Sequence, residues 1–290
     1  MSDSHTSGPA KLHALMTTPG LIVAPGVYDG FSARAVEVVG FSAAYVTGAG
    51  SSLSNFGLPD LGLITQSDMV DQIFRLAEAT TLPLIVDADT GFGAVTNVVR
   101  TVRRYERAGA AALQLEDQGF PKRCGHLDGK EVIDAAVFTA RISAAVDART
   151  DDRFKIIART DALQPFGLDA ALERAQLYME AGADLVFVEA PENMAQVERI
   201  ASEIAAPKMI NMISASITPL LTFAQLAQYG FKLAIYPMVT QSSAMDAMLR
   251  ALRSLRDDHD DRSTAELQTP RQLFELFELD AWQSIADRDG

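Results

Sequence analysis

A chain of 290 residues with 48% hydrophobic content can bury one large core or two smaller ones. Its net charge of -13 argues against a nucleic-acid footprint, and its single cysteine excludes an internal disulfide. No apolar run reaches the roughly 18 residues of a spanning helix, and the first residues lack the apolar core of a signal peptide. We therefore expect a soluble cytoplasmic protein that binds small molecules and copies of itself, but no membrane.

Eight short apolar runs rich in β-branched residues recur along the chain, separated by helix-period stretches. In order they are LIVAPGVYD, AAYVTGAG, LPLIVDAD, AALQLED, KIIARTD, DLVFVEA, KMINMI and KLAIYPM. Helices are predicted at 96–108, 135–147, 169–180 and 192–204. Strand followed by helix, eight times, predicts an α/β fold, a closed (β/α)8 TIM barrel rather than an open doubly wound sheet.

A weak internal repeat supports the barrel. Four glycines each follow a helix-like stretch, as expected of the residue after a helix end that takes positive φ: Gly40, Gly109, Gly182 and Gly230. Seven residues beyond them stand Thr47, Glu116, Glu189 and Pro237. Other strand ends carry Asp87, Asp89, Arg159, Asp161 and Asn211. Polar side chains therefore gather at the carboxyl ends of the strands, where barrel enzymes build their sites.

The pattern changes after Leu255, so we predict a barrel domain at 1–255 and a second segment at 256–290. The segment begins with the charged RDDHDDRST, a predicted solvated connection. The following LQTPRQLFELFELDAWQSIA is predicted to be an amphipathic helix. Its apolar face would pack on its own barrel or on a neighbouring subunit.

The run VDADTGFG holds two carboxylates, Asp87 and Asp89, which the period of two in a strand places on one face. Two adjacent carboxylates repel unless a cation lies between them, so the pair indicates a Mg²⁺ or Mn²⁺ site. The alternative is a turn whose aspartates cap the next helix. Glu116 and Asp117 end the next strand and favour the metal.

Arg159 and Asn211 are candidates to grip and orient a carboxylate ligand. The alternative for Arg159 is that it only neutralises Asp161 or Glu189.

The only cysteine, Cys124, stands among Lys122, Arg123 and His126, which favour the thiolate, and precedes Gly125, which lets the backbone approach a ligand. The thiol would act as a nucleophile or as a general acid and base. Proton transfer is the better interpretation, because a histidine two residues away can rarely bend back to form a catalytic pair. The alternative of a buried spectator thiol would need an apolar setting.

The segment LQLEDQGFPKRCGH, with VDADTGFG upstream and ARTDA and VFVEA downstream, resembles the isocitrate lyase and phosphoenolpyruvate mutase superfamily. Within it, the methylisocitrate lyase and 2,3-dimethylmalate lyase branch is the most similar. The resemblance implies a barrel whose final helix swaps onto a neighbour, in a homotetramer built as a dimer of dimers. It implies Mg²⁺ held largely through waters by Asp87, Asp89 and Glu116. The loop from Lys122 to His126 would close over the substrate.

The resemblance also implies residue roles. The implied catalytic residues are Cys124, Arg159, Glu189, His126 and Lys122. The implied substrate-binding residues are Tyr45, Thr47, Gly48, Ala49, Asp60, Gly125, Asn211 and Ser214.

The implied activity is a Mg²⁺-dependent carbon-carbon lyase. It would cleave a 2-hydroxy dicarboxylate, a substituted malate or a methylisocitrate-like acid, by retro-aldol chemistry to pyruvate or glyoxylate and a second carboxylate. Cys124 would protonate the departing carbanion, and mutase members without this cysteine act on a P-C bond instead. The alternatives are an oxaloacetate hydrolase or decarboxylase, a carboxyphosphonoenolpyruvate-type mutase, and, from another class, an inactive metabolite-binding barrel.

Three departures from the family pattern bear on the substrate. Ser214 and Ser216 stand where methylisocitrate lyases have glutamate and glycine. Ser242 and Pro270 stand where those enzymes have arginines, and Arg271 is adjacent to the second. Fewer arginines bind fewer carboxylates, so we expect a smaller 2-hydroxy or 2-oxo diacid rather than a tricarboxylate.

Overall fold

The computed structural model of the chain describes residues 7–123, 125, 129–214, 216–264 and 267–288. Eight parallel strands pair in sequence order and β8 closes on β1, so the predicted TIM barrel is confirmed. The strands are β1 (Ile22–Val27), β2 (Ala44–Val46), β3 (Leu84–Asp87), β4 (Ala110–Glu116), β5 (Lys155–Thr160), β6 (Leu185–Val188), β7 (Lys208–Asn211) and β8 (Leu233–Tyr236).

Helices stand before the first strand, between the strands and after the last strand in chain order. They are α1 (Gly8–Thr17), α2 (Gly30–Val39), α3 (Gly48–Ser51), α4 (Gln66–Ala79), α5 (Val95–Ala108), α6 (Ala135–Ala148), α7 (Leu163–Phe166), α8 (Leu168–Glu180), α9 (Met194–Glu203), α10 (Phe223–Gln228), α11 (Val239–Asp258), α12 (Pro270–Glu275) and α13 (Leu279–Ala286). A π-helix (Ser52–Phe56) and a 3-10 helix (Arg262–Thr264) complete the described elements.

The four helices predicted from periodicity are α5, α6, α8 and α9, with ends displaced by no more than two residues. The largest displacement is at the start of α9, where the Asn193 side chain accepts a bond from the Gln196 N–H at 3.0 Å and fixes the first turn. The local signals for these helices therefore agree with the fold.

The core has two layers. One lies between the strands and the helices, where α5 buries Val98, Val102 and Tyr105. The other fills the barrel interior with side chains such as Tyr45 and Phe187. Burial of each large apolar side chain stabilises the fold by about 1.5–3 kcal/mol.

The glycine repeat is confirmed. Gly40, Gly109, Gly182 and Gly230 all have positive φ, at 93°, 106°, 98° and 74°. Gly40 and Gly109 are themselves the C-cap residues of α2 and α5, where any other L-residue would be strained. These caps fix where each following strand begins, and hence which side chains reach its carboxyl end.

The chain divides into two compact units, Met1–Val239 and Thr240–Gly290. The predicted domains at 1–255 and 256–290 stay a prediction, as does the exchange of the last helix between subunits. Within the second unit the predicted single amphipathic helix is instead two helices, α12 and α13, because Glu278 adopts a left-handed conformation with φ of 63°. Among the described helices, none is long and apolar enough to cross a membrane.

Candidate active site

The carboxyl ends of the strands surround a cavity of about 480 Å³. The four positions seven residues beyond the capping glycines all line it: Thr47, Glu116, Glu189 and Pro237. The other predicted site residues in its lining are Tyr45, Ala49, Asp60, Asp87, Lys122, Gly125, Arg159 and Asn211. The residues predicted to share a site are therefore largely brought together at one end of the barrel.

Asp87 and Asp89 are adjacent, but for a different reason than predicted. β3 ends at Asp87, and Asp89 lies beyond it in a left-handed conformation with φ of 47°. A turn, rather than the strand period, brings the Asp89 N–H to 3.1 Å from the Asp87 carboxylate. The Gly48 N–H lies 3.3 Å from the same carboxylate. A non-glycine residue in this conformation is strained, which is common where a site dictates the backbone.

Burial weakens the acidity of the Asp87 and Glu116 carboxyl groups. Desolvation, and then the charge of Asp89, raise the pKa of Asp87 to about 6. Desolvation also raises the pKa of Glu116 well above its ordinary value, although the Arg159 guanidinium opposes it. Within the described part of the chain, Glu116 Oε1 has no hydrogen-bond partner. An unsatisfied buried acceptor costs about 1–3 kcal/mol, so a proton or a cation would stabilise this site.

Lys122 is the cation nearest to the aspartates. Its side chain is 4% exposed, and its ammonium pairs with the Asp60 carboxylate and lies 2.8 Å from Asp89 Oδ1. Desolvation lowers the pKa of Lys122, but Asp89 and Asp60 outweigh it and the pKa lies well above the ordinary value. Lys122 therefore stays charged at the rim of the cavity.

Arg159, in β5, is held from several sides. Its Nε and Nη2 donate to Asp161 at 2.8 and 2.9 Å, and Nη1 lies 3.4 Å from Glu116 Oε2. The guanidinium carbon lies 5.5 Å from the centre of the Phe187 ring. The predicted neutralisation of Asp161 is therefore real, and Arg159 also lines the cavity. Its predicted role in gripping a ligand carboxylate stays a prediction.

Two further pairs orient polar groups in the barrel. Asn211 Nδ2 donates to Glu189 Oε1 at 3.3 Å, and the Tyr45 hydroxyl donates to Gln114 Oε1 at 3.1 Å. Desolvation, with a smaller contribution from Asp87, raises the pKa of Tyr45 well above its ordinary value. The phenol therefore stays protonated and acts through hydrogen bonds.

Asp117 does not face the site, so its suggested part in metal binding is wrong. Its carboxylate accepts bonds from the Tyr178 and Thr160 hydroxyls, at 2.7 and 2.8 Å, and from Arg174 at 3.0 Å. It also accepts from the Asp161 N–H at 2.9 Å. Consecutive residues point to opposite sides of a strand, and here Glu116 lines the cavity whereas Asp117 ties β4 to β5 and α8.

Some predicted residues lie elsewhere. Cys124 and His126 are outside the described residues. Ser214 is exposed and is absent from the cavity lining in the described chain, whereas Ser216 lines it. In the second unit, Ser242 lies in α11. Arg271, in α12, is paired with Glu275 at 2.8 Å. The roles predicted for Cys124, His126 and Ser214 stay predictions.

The carboxylates suit a hard divalent cation. Asp87, Asp89 and Glu116 offer oxygen donors alone, which is the ligand type that Mg²⁺ prefers. Within the described residues, no three His, Cys, Asp or Glu side chains are arranged to ligate one ion directly. A Mg²⁺ ion usually keeps several waters, so these residues fit an ion held partly through water, with Glu116 Oε1 as one acceptor awaiting a partner.

The part of the cavity lining that comes from β8 and from the residues after β7 and β8 is largely apolar, and β7 and β8 lie across the closed barrel from β3 and β4. This part consists of Ile213, Ile217, Ile235, Pro237 and Met238, with the Ser216 hydroxyl among them. Four of these apolar residues, all but Ile235, follow β7 or β8 in irregular backbone, where no periodicity indicates side-chain direction. The available signal was that KMINMI continues with Met212 and Ile213 after Asn211, and that KLAIYPM ends in Pro237 and Met238.

A closed parallel barrel with acids and cations at the carboxyl ends of its strands has the architecture of a barrel enzyme. The family profile described as phosphoenolpyruvate phosphomutase matches residues 12–256. The chain therefore belongs to the phosphoenolpyruvate mutase family.

Relatives define the class of enzyme more closely. The chain is 45% identical to 2,3-dimethylmalate lyase of Eubacterium barkeri, over 83% of each protein. It is 39% identical to 2-methylisocitrate lyase of Shewanella oneidensis, over 91% of this chain and 90% of that one. The chain is thus an enzyme of the isocitrate lyase/phosphoenolpyruvate mutase superfamily and groups with its carbon-carbon lyases.

Solved structures agree with the fold. Oxaloacetate acetylhydrolase in complex with the inhibitor 3,3-difluorooxalacetate superposes with a TM-score of 0.94 at 37% identity, covering 98% of both chains. Phosphonopyruvate hydrolase in complex with oxalate and Mg²⁺ superposes with a TM-score of 0.87 at 28% identity, covering 97% of this chain and 99% of that one. Members of the superfamily therefore include one crystallised with Mg²⁺ and a small dicarboxylate.

Proposed function

We propose that the chain cleaves an alkyl-substituted malate, a 2-hydroxy dicarboxylate, to a 2-oxo acid and a second carboxylate in a Mg²⁺-dependent retro-aldol reaction. The observation that carries this proposal is the two-sided cavity. Carboxylates and cations such as Asp87, Glu116 and Arg159 line it from β3, β4 and β5. Isoleucine, proline and methionine side chains line it from β8 and from the residues after β7 and β8, across the closed barrel. A substrate with two carboxylates and an alkyl group matches both sides.

The number of cations supports a dicarboxylate over a tricarboxylate. Among the described lining residues the cationic side chains are Lys122, Arg123 and Arg159. Lys122 already pairs with Asp60 and Asp89, and Arg159 is paired with Asp161. Each additional buried carboxylate would need its own positive partner, because an unpaired charge is costly to desolvate.

The apolar side supports an alkyl substituent. Ile213, Ile217 and Met238 offer methyl and methylene surface, and Pro237 has no N–H to donate. Burying one methylene there stabilises a bound ligand by about 0.8 kcal/mol. A hydrated carbonyl or a third carboxylate would lose hydrogen bonds to water on this side.

The bound cation would be held by Asp87, Asp89 and Glu116, with water completing its shell. It would polarise the oxygen of the 2-hydroxyl group and of the adjacent carboxylate as a Lewis acid. Arg159 and Asn211 would hold the other carboxylate oxygens, with Thr47 and the Gly48 and Ala49 backbone as further donors.

The residues of the chain would then carry the protons. Glu189, which lines the cavity beside Asn211, would accept the 2-hydroxyl proton. The carbon-carbon bond breaks, its electron pair passes to the fragment that bears the second carboxylate, and the hydroxyl carbon becomes the carbonyl of the 2-oxo acid. The carbanion takes its proton from Cys124, the residue before Gly125 in the cavity lining.

We further propose that the enzyme is a homotetramer in which the carboxyl-terminal helices dock on a neighbouring subunit. The described side chains of α12 and α13 include no buried residue, although the two helices carry Phe274, Trp282 and Ile285. Light scattering of the purified protein tests this proposal: a mass near four times 31.3 kDa is expected, and a monomer would contradict it.

The test of the activity is a substrate panel with 2-oxo acid release as the readout. 2,3-Dimethylmalate, malate, 2-methylisocitrate and oxaloacetate are each assayed with Mg²⁺ and with EDTA. We expect the highest kcat/KM for the alkyl malate, no turnover in EDTA, and a kcat for Cys124→Ser lowered by about 10²–10⁴-fold, the range of general acid catalysis.

Other outcomes separate the competing functions. Release of oxalate and acetate from oxaloacetate, without malate cleavage, would replace the proposal with the hydrolase. Binding of every acid without turnover would indicate a metabolite-binding barrel. Undiminished turnover by Cys124→Ser would remove the assigned proton donor.

A further inference from the structure

Lys130 is a buried cation between the cysteine-bearing loop and the barrel, and the site described above gives it no task. Its side chain is 1% exposed, and Nζ donates to the Gly125 carbonyl oxygen at 2.8 Å and to Asp161 Oδ1 at 3.1 Å. An ammonium is buried at a cost of several kcal/mol unless it is paired and hydrogen-bonded. Both of these partners belong to segments that reach the cavity.

On the barrel side, Asp161 is a fixed anchor. Its carboxylate accepts two bonds from Arg159, and its N–H donates to the Asp117 carboxylate at 2.9 Å. Asp117 is held in turn by Thr160 and Tyr178. Asp161, the carboxylate partner of Lys130, therefore cannot move without displacing Arg159.

On the loop side, the Gly125 backbone lies directly against the Arg159 and Glu189 side chains. A Cβ atom at Gly125 would lie 2.4 Å from Arg159 Nη2 and 2.6 Å from Glu189 Oε1. No side chain fits there, so only the backbone of residue 125 can close this part of the cavity. Gly125 has no side chain of its own with which to hold that place.

A second contact holds the loop one residue before the thiol. The Gln118 side chain donates to the Arg123 carbonyl at 2.9 Å and accepts from the Arg123 N–H at 2.9 Å. Gln118 thus fixes the backbone before Cys124, and Lys130 fixes it after Cys124.

We propose that Lys130 is a positioning residue that holds the Gly125 carbonyl against Asp161 and thereby fixes the loop on Arg159 and Glu189 for proton transfer. The part about proton transfer rests on the proposed function. Lys130 is absent from the described cavity lining, so it acts through Gly125 and not on the substrate.

The reporter for this proposal is Cys124, because it is the only thiol of the chain and is bonded to Gly125. We would measure its alkylation by iodoacetamide across pH, using the limiting rate constant above the thiol pKa. Loss of a nearby ammonium by itself raises a thiol pKa and slows alkylation at neutral pH. A faster limiting rate therefore reports release of the loop and not the change of charge.

A matched control is Lys155, at the amino end of β5. Lys155 also donates to an aspartate and a backbone carbonyl, Asp184 Oδ1 at 3.0 Å and the Asp152 oxygen at 3.4 Å. Lys130→Met and Lys155→Met each remove a buried ammonium with such partners, but only Lys130 contacts the loop.

We expect Lys130→Met to raise the limiting alkylation rate by about tenfold, in line with the loss of a charge-assisted hydrogen bond. Lys155→Met should lower Tm comparably and leave that rate within twofold of the wild type. For turnover, Lys130→Met should lower kcat by about tenfold and change KM by less than about threefold, whereas Lys155→Met should change neither.

A limiting rate for folded Lys130→Met that stays within twofold of the wild type would overturn the proposal, as would an equal rise for Lys155→Met. If Lys130→Met does not fold, Lys130→Gln, which keeps a hydrogen-bond donor, gives the same comparison. Alkylation needs no substrate, so a wild-type enzyme without lyase activity refutes the proposed function and leaves the loop test decisive.

Discussion

Both ends of the barrel hold aspartates beside cations, but the carboxyl end also holds buried acids that are incompletely paired. At the amino end, Asp184 Oδ2 accepts from Arg149 at 2.8 Å and from the Ile156 N–H at 2.9 Å, while Oδ1 accepts from Lys155 at 3.0 Å. One carboxylate has two cations and a backbone donor, so its charge is balanced. This end has the character of a structural ion-pair cluster.

At the carboxyl end the acids outnumber their partners. Asp87 and Glu116 have raised pKa values because they are buried, and Glu116 Oε1 has no hydrogen-bond partner in the described chain. Evolution could have replaced such groups with apolar ones of similar volume at little cost in stability. The ion pairs at the amino end therefore stabilise the fold. The incompletely paired, buried acids at the carboxyl end are typical of a ligand-binding site.

The largest expected effect is that of metal on the carboxyl end. The pKa of Asp87 in the folded chain is about 6, above the ordinary 3.8, so its contribution to stability is full below about pH 4 and is lost as pH rises through about 6. A divalent cation should replace the lost proton. We expect Mg²⁺ at about 100 times its Kd to stabilise the fold by about 2.7 kcal/mol at pH 8 and by much less at pH 5.

The measurement is Tm with Mg²⁺ or EDTA at both pH values, and Asp87→Asn is the control that should lose most of the shift. An equal Mg²⁺ effect at pH 5 and pH 8, or one that persists in Asp87→Asn, would contradict the assignment of the acids to a cation.

A smaller effect is expected at the amino end, where a substitution should lower stability and leave turnover unchanged. Asp184→Asn removes the charge that Arg149 and Lys155 share and should cost about 2 kcal/mol, less than the ~3–5 kcal/mol of breaking a fully buried ion pair, because the site is partly exposed. Its kcat should stay within twofold. Asp87→Asn should show the reverse, a Tm that is unchanged or higher without metal and a loss of turnover. Denaturant unfolding and steady-state kinetics of the two variants test the comparison, which fails if both lose activity equally.

The smallest effect concerns the apolar side of the cavity. Met238→Ala removes methylene contacts near the proposed alkyl group, and a pocket contact of this size is worth about 1–3 kcal/mol of discrimination. We expect kcat/KM for the alkyl malate to fall about tenfold relative to that for malate. The ratio of the two kcat/KM values is the readout, and an unchanged ratio would show that the alkyl group lies elsewhere.

The sequence predicted the parts of the structure that local signals control. Strand ends could be placed from Gly40, Gly109 and their equivalents because a glycine cap fixes the start of the next strand. The place of Glu116 in the cavity lining follows from this register, and that of Asp87 from the end of the run LPLIVDAD.

Irregular backbone could not be predicted in this way. The turn that brings Asp89 to Asp87 depends on one residue with positive φ, and so does the break between α12 and α13 at Glu278. L-amino acids rarely adopt this backbone conformation. Ile217 and Met238 line the cavity from irregular backbone after β7 and β8, where no periodic pattern predicts the side-chain direction. Lys130 reaches Asp161 across 31 residues of sequence, and no local pattern records such a contact.

The most direct test of the two-sided cavity is a crystal structure of the enzyme with Mg²⁺ and pyruvate. We expect the pyruvate carboxylate and keto oxygen on the side of Asp87, Glu116 and Arg159, and the remaining volume toward Ile217 and Met238 filled by water or the second product. Pyruvate bound outside this cavity, or a metal ion coordinated without Asp87, Asp89 or Glu116, directly or through water, would contradict the proposed site.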